Sequence, residues 1–318
     1  MKSLYAVLAV LVVLAMVGGA RADTFLQGLA GPTGLANEGN QGPSPRNDRF
    51  LDSPSFIGQP YDWSGVGFSS GGSWATMISP SYFVSATHDH PTPGQTVTFH
   101  LDNNPNGPTQ TYTVSSVGYQ TNSSQIPGAT YSGSDVWMGK LTAPVASNIA
   151  KYPVEVLPSA SDYLGQTIWT YGYSNRIGKN NIDSISPLNG VYTPESTQVM
   201  YFNYNATGGQ GPDECYLEGG DSGGPAFAVV NGSLAVLGTG FVNAVDLGLT
   251  GGSGYNSGIY DGAPSGDAFV PFYTDQLQAN MGGETLMTVG VVPEPITMTL
   301  VAMGVVGLSG YVRNRLRK

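Results

Sequence analysis

The 318-residue chain contains one cysteine, Cys215, so it can form no internal disulfide and can build neither a Cys-rich zinc site nor an iron–sulfur cluster. Charge is scarce as well. Asp, Glu, Lys and Arg make up 11% of the residues, against about 25% in an average soluble chain, which excludes long salt-laced helices. Only 12 residues are basic against 22 acidic. With no positive stripe to release counterions from phosphates, nucleic acid is excluded as a partner. Packing and backbone hydrogen bonds must therefore hold the fold together.

What is abundant is glycine, 45 residues, about twice the usual ~7% share. Short β-rich runs lie between Gly, Pro and Asn turns: Trp74–Ile78, Tyr82–Ala86, Thr96–His100, Thr111–Val114, Gln198–Phe202 and Leu234–Leu237. This texture predicts an all-β antiparallel sandwich or barrel. Helical spacing of Phe272, Leu277 and Met281 predicts one short C-terminal helix over Pro271–Met281. Asp102–Gly107 resembles the start of a calcium loop, but Thr113 stands where the bidentate Glu is needed, so a hairpin turn is expected there.

The two ends read as traffic signals. Lys2, the apolar run Leu4–Val17 and the small-x-small site Ala20-Arg21-Ala22 predict a secretory signal peptide over 1–22, with an uncleaved membrane anchor as the alternative. Residues 23–60 are Gly- and Pro-rich and read as a linker or strap. The C-terminus carries Val292-Pro293-Glu294-Pro295, an uncharged stretch from Ile296 to Val312, then Arg313, Arg315, Arg317 and Lys318. This order of Pro-Glu-Pro, apolar span and basic tail resembles the PEP-CTERM sorting signal, with an ordinary C-terminal anchor as the alternative. The resemblance implies recognition by an exosortase-type processing enzyme and export to the outer surface or exopolysaccharide matrix of a Gram-negative bacterium. Membrane contact before processing would come from the two terminal segments. Residues 23–292 hold six of the basic and 21 of the acidic residues, so the exported part is near −15.

Gly219-Gly220-Asp221-Ser222-Gly223-Gly224-Pro225 is the most informative stretch. Glycines on both sides of a serine allow a sharp turn that exposes the hydroxyl and aims neighbouring N–H groups at one point. A serine is a weak nucleophile without a base and a group to orient that base. The base must come from His88, His90 or His100. Gly72-Ser73-Trp74 through Ile78-Ser79-Pro80 to Val84-Ser85-Ala86-Thr87-His88 leads two β segments into His88.

These strings resemble the trypsin-like serine proteases of the chymotrypsin fold, as does the Asp135-Val136-Trp137-Met138-Gly139-Lys140-Leu141 segment between them. The order His88, Asp135, Ser222 is that family's order and not that of subtilisin or the α/β-hydrolases. The resemblance implies two antiparallel Greek-key β-barrels over residues 61–288 with the active site between them. It also implies a serine endopeptidase that needs no cofactor and acts on a peptide or protein substrate. Ser222 would attack the carbonyl, His88 would act as general base and then general acid, and Asp135 would orient the imidazole. The N–H groups of Gly220 and Ser222 would form the oxyanion hole.

The chain departs from the family pattern in places. Asp89 stands where most animal members carry a cysteine, and the Ile/Val-Val-Gly-Gly N-terminus of activated zymogens is absent. Asp221 is therefore expected to pair with Arg46 or Arg49 of the strap. Tyr216 stands six residues before the nucleophile, where trypsin has its specificity acid, with Glu214 and Glu218 nearby. Val236–Asn243 resembles the strand that lines the substrate pocket, so Tyr216, Phe241 and Asn243 are the expected pocket residues and a medium apolar or aromatic side chain the expected preference. His90 makes a His-x-His pair with His88 but lacks a third ligand at metal-site spacing, so no metal is expected. Cys215 reads as an inert, partly buried thiol. A non-catalytic surface or biofilm-matrix protein on the same fold is the rival reading. A polysaccharide hydrolase would need a carboxylate pair about 5–10 Å apart, and no signature of one is present.

Overall fold

A computed structural model describes residues 57–102, 107–172, 176–205, 209–244, 246–249 and 262–290, together with the short strand Phe25–Leu26. The predicted signal peptide, most of the strap with Arg46 and Arg49, and the C-terminal signal lie outside the described residues. Among the described residues no helix is long and apolar enough to cross a membrane.

The chain is all-β, with a closed barrel and a second sheet, as the turn-punctuated sequence predicts. Six strands form the barrel: β1 (Val66–Ser69), β2 (Trp74–Met77), β3 (Tyr82–Ala86), β4 (Thr96–His100), β5 (Thr109–Asn122) and β6 (Gly133–Leu141), in the order β1-β2-β3-β6-β5-β4. Closure leaves no unpaired edge. β4 and β5 pair antiparallel from Thr96↔Thr113 to His100↔Thr109 on either side of the hairpin turn expected at Asp102–Gly107, of which residues 103–106 lie outside the described residues. Side-chain pattern follows position. In β4 only Val97 and Phe99 point inward, so apolar and polar residues alternate; in β3 all five residues are buried, one face in the barrel and the other under the second sheet.

The second sheet contains β7 (Thr167–Gly172), β8 (Arg176–Asn181), β9 (Ser184–Asn189), β10 (Ser196–Tyr204), β11 (Pro225–Val230), β12 (Ser233–Asn243) and β13 (Ala263–Phe269), ordered β8-β7-β11-β12-β13-β10-β9. Its two terminal strands, β8 and β9, are separated only by Ile182 and Asp183, so the sheet must curl until its ends meet. Asn180 bridges the gap: its Nδ2 donates to Asn203 O on β10 at 3.0 Å and to Cys215 O at 2.8 Å. This geometry fits the two-barrel fold.

Aromatic packing fixes one half against the other. Trp63 meets Phe227 edge-on at 5.7 Å and Tyr171 at 5.8 Å, and Trp74 of the first barrel meets Tyr171 of the second at 5.2 Å. Such ring pairs contribute about 0.5–1.5 kcal/mol each beyond the area they bury. The expected C-terminal helix is present as a single 3-10 turn, Val270–Tyr273, followed by α1 (Thr274–Asn280), with Leu277 and Met281 buried. Gln276 of α1 clasps the first barrel, accepting from Asn122 N at 2.8 Å and donating to Asn122 O at 3.0 Å.

Candidate active site

Strand pairing brings the candidate base His88 and the Asp135 carboxylate together. β3 and β6 are antiparallel with Ala86 opposite Val136, so the chain leaving β3 runs beside the start of β6. There Thr87 N–H donates to Asp135 O at 2.7 Å, Thr87 Oγ1 to Ser134 O at 2.9 Å, and His88 N–H to Asp135 Oδ1 at 3.0 Å. His88 Nδ1 lies 2.9 Å from both Asp135 oxygens. A carboxylate at that nitrogen accepts its proton and leaves Nε2 as the acceptor. Asp135 is fully buried, and only 9% of the His88 side chain is exposed.

The candidate nucleophile, Ser222, arrives from the second sheet, on the turn before β11. Gly223 permits this close approach. Its φ is +76°, and a β-carbon there would sit 2.7 Å from Ser85 Oγ and 3.0 Å from Ala86 N, inside the end of β3. Gly223 N–H donates to Gly240 O at 2.9 Å and Gly240 N–H to Gly224 O at 2.7 Å, which ties the turn to β12. Trp74 Nε1 donates to Gly220 O at 3.1 Å, tying it to the first barrel. Ser222 Oγ thereby stands 2.9 Å from His88 Nε2. Asp135, His88 and Ser222 form one hydrogen-bonded line.

The same turn presents donors. Asp221 N–H turns back to Glu218 O at 3.2 Å and Gly224 N–H to Asp221 O at 2.8 Å, whereas the N–H groups of Gly220 and Ser222 have no protein acceptor among the described residues. Gly220 has φ +105°, a conformation that L side chains rarely adopt. Two unengaged donors beside a serine hydroxyl match what a developing oxyanion requires.

Electrostatics suit a base. Burial pulls the His88 pKa down, but hydrogen bonding and charge from Asp135, helped by Asp89 and Asp246, outweigh it, so the net shift is upward from 6.5.

The remaining predicted residues divide. Phe241 joins the triad: it is 3% exposed and lies 5.9 Å from the His88 ring. Tyr216 packs edge-on against Tyr204 at 5.5 Å in a small cluster with Ala244 and Ala263, its hydroxyl 2.6 Å from Glu218. Asn243 closes a turn, with its N–H on Asp246 Oδ2 at 2.9 Å and its Oδ1 accepting from Asp246 N at 3.2 Å. Asp221 is buried, and its Oδ2 accepts from Glu218 N at 2.9 Å. Asp89 Oδ1 accepts from Ser73 Oγ at 2.5 Å. His90 lies flat on Trp137 at 4.0 Å, its Nδ1–H donating to Pro91 O. Among the described residues no group of three or more His, Cys, Asp or Glu is placed to hold a metal ion. Cys215 is fully buried, and burial pushes its thiol pKa up.

Sequence reasoning missed two groups at the site. Thr197 on β10 accepts from Asp135 N at 2.9 Å. Tyr192, at the β9–β10 hairpin tip, stacks on His88 with ring centroids 4.2 Å apart. Nothing in Val191-Tyr192-Thr193-Pro194-Glu195 distinguishes it from an ordinary surface turn.

A scan of the chain against protein-family models and a search of curated proteins each found no match.

Proposed function

We propose that this chain is an exported serine endopeptidase that hydrolyses peptide bonds through an acyl-enzyme. The hydrogen-bonded line Asp135–His88–Ser222 carries the reading. As Ser222 Oγ attacks a carbonyl, its proton passes to His88 Nε2, and the imidazolium so formed is stabilised by the Asp135 carboxylate at Nδ1. The Gly220 and Ser222 N–H groups receive the oxyanion; one such donor is worth roughly 3–4 kcal/mol where it has been tested. His88 then gives its proton to the leaving amine, and water repeats the sequence to release the acyl group.

Export and surface sorting follow from the leader and from the Pro-Glu-Pro tail read as a sorting signal for an exosortase-type enzyme. The polarity of the exported part, near −15, favours solubility and disfavours anionic partners. The test is hydrolysis of fluorescein-labelled casein by the full chain. Activity is expected from the native protein and not from Ser222→Ala. Equal activity from both would overturn the assignment. No activity from either would favour a non-catalytic surface or matrix protein.

A further inference from the structure

Tyr192 takes no part in the hydrogen-bonded line Asp135–His88–Ser222. It is 43% exposed, yet its ring covers one face of the His88 imidazole, with centroids 4.2 Å apart and planes 20° apart. Phe241 meets the Tyr192 ring edge-on at 5.9 Å, so the two rings form one corner over the imidazole. β12 shifts register against β13 between Gly240 and Val242, a bulge that turns Phe241 toward this corner.

The corner is held in place. Glu195, fully buried, accepts from Val191 N at 3.1 Å, from Tyr192 N at 3.3 Å and from the Thr193 hydroxyl. Gly190 N–H donates to Glu195 O at 2.8 Å. Ser196 Oγ accepts from Thr130 N at 2.9 Å and Tyr131 N at 3.0 Å, which pins the hairpin to the segment that delivers Asp135. Tyr192 is therefore a wall rather than a lid.

A wall here meets substrate. A reacting carbonyl must come within about 3–3.5 Å of Ser222 Oγ, and the leaving amine must face His88 Nε2 to receive its proton. β12 is tied to the Ser222 turn by Gly223 N–H on Gly240 O at 2.9 Å and Gly240 N–H on Gly224 O at 2.7 Å, so it is the strand along which the acyl side of a bound chain would run. One extended residue spans about 3.3–3.6 Å, so the residue preceding the one that bears the scissile carbonyl reaches the corner beside His88.

We propose that Tyr192 fills the space over His88 that would otherwise receive that preceding residue's side chain, so that the enzyme selects glycine or alanine at this position. The inference rests on the peptidase reading above. It is tested with the full chain and fluorogenic peptide libraries of mixed residue at the scissile carbonyl and Gly, Ala, Leu or Phe before it. The native enzyme is expected to favour Gly and Ala over Leu and Phe by about tenfold or more in kcat/KM, the scale on which small apolar size differences are discriminated. Tyr192→Ala is expected to abolish or reverse the preference, and Tyr192→Phe, which keeps the ring, to retain it. A flat native profile overturns the inference even if Tyr192→Ala fails to fold, and so does a native ratio kept in Tyr192→Ala. Absence of turnover of every peptide, in native enzyme and Ser222→Ala alike, removes the peptidase reading and this inference with it; turnover without preference removes the inference alone.

Discussion

The backbone N–H of Asp135 donates to Thr197 Oγ1 at 2.9 Å, and both residues are fully buried. This bond crosses from the first barrel to the second, so the carboxylate that orients His88 is itself positioned by the opposite half of the molecule. Thr197→Val keeps the shape and removes the acceptor. A buried N–H left unpaired costs about 1–3 kcal/mol, and urea unfolding is expected to show a loss of that size, with Thr197→Ser close to native.

His88 must be neutral to accept the Ser222 proton, and its pKa is raised above 6.5 chiefly because Asp135 offsets the opposing effect of burial. On the proposed mechanism, activity is expected to be lost as pH falls through a midpoint above 6.5. In Asp135→Asn the burial effect remains while the raising partner is gone. The acid limb of kcat/KM is expected to move to lower pH as the rate drops, and NMR titration of His88 in Ser222→Ala should give the native midpoint directly.

Gly223→Ala places a methyl group 2.7 Å from Ser85 Oγ in a backbone conformation with φ +76°. Either the turn or the end of β3 must shift, and a displacement of about 1 Å at a nucleophile costs on the order of 100-fold. The expected result is a folded protein whose second-order rate with an active-site phosphonate falls by about that factor.

Asp267 on β13 has both carboxyl oxygens buried without a hydrogen-bond partner among the described residues. Burial, then the nearby Asp221 charge, pushes its pKa well above 3.8. The folded protein keeps a proton there that the unfolded chain releases, so stability falls as pH rises above 3.8. Asp267→Asn stays neutral throughout. It is expected to raise the urea midpoint at neutral pH and to change it little near about pH 4, where the native unfolded chain also begins to hold the proton.

Much of this was legible in the sequence because local signals carried it. Turn residues bounded the β runs, and Thr96–His100 and Tyr82–Ala86 fold as strands over the expected residues. The meeting of His88, Asp135 and Ser222 was legible because each sits in its own short, distinctive string of neighbours. Tyr192 and Thr197 were not, since each acts through a contact between elements distant in sequence, and an aromatic at a hairpin tip or a threonine in a buried strand has no local mark of what it will touch. Phe241 was legible from its strand, but its contact with His88 depends on the bulge in β12, which only the pairing with β13 creates.

The most direct test of the central claim is reaction of the full chain with a fluorophosphonate probe, followed by mass spectrometry of the labelled peptide. A single adduct on Ser222 is expected, lost in Ser222→Ala and strongly slowed in His88→Ala. Absence of a Ser222 adduct in the folded native protein, or labelling indifferent to His88, would contradict it.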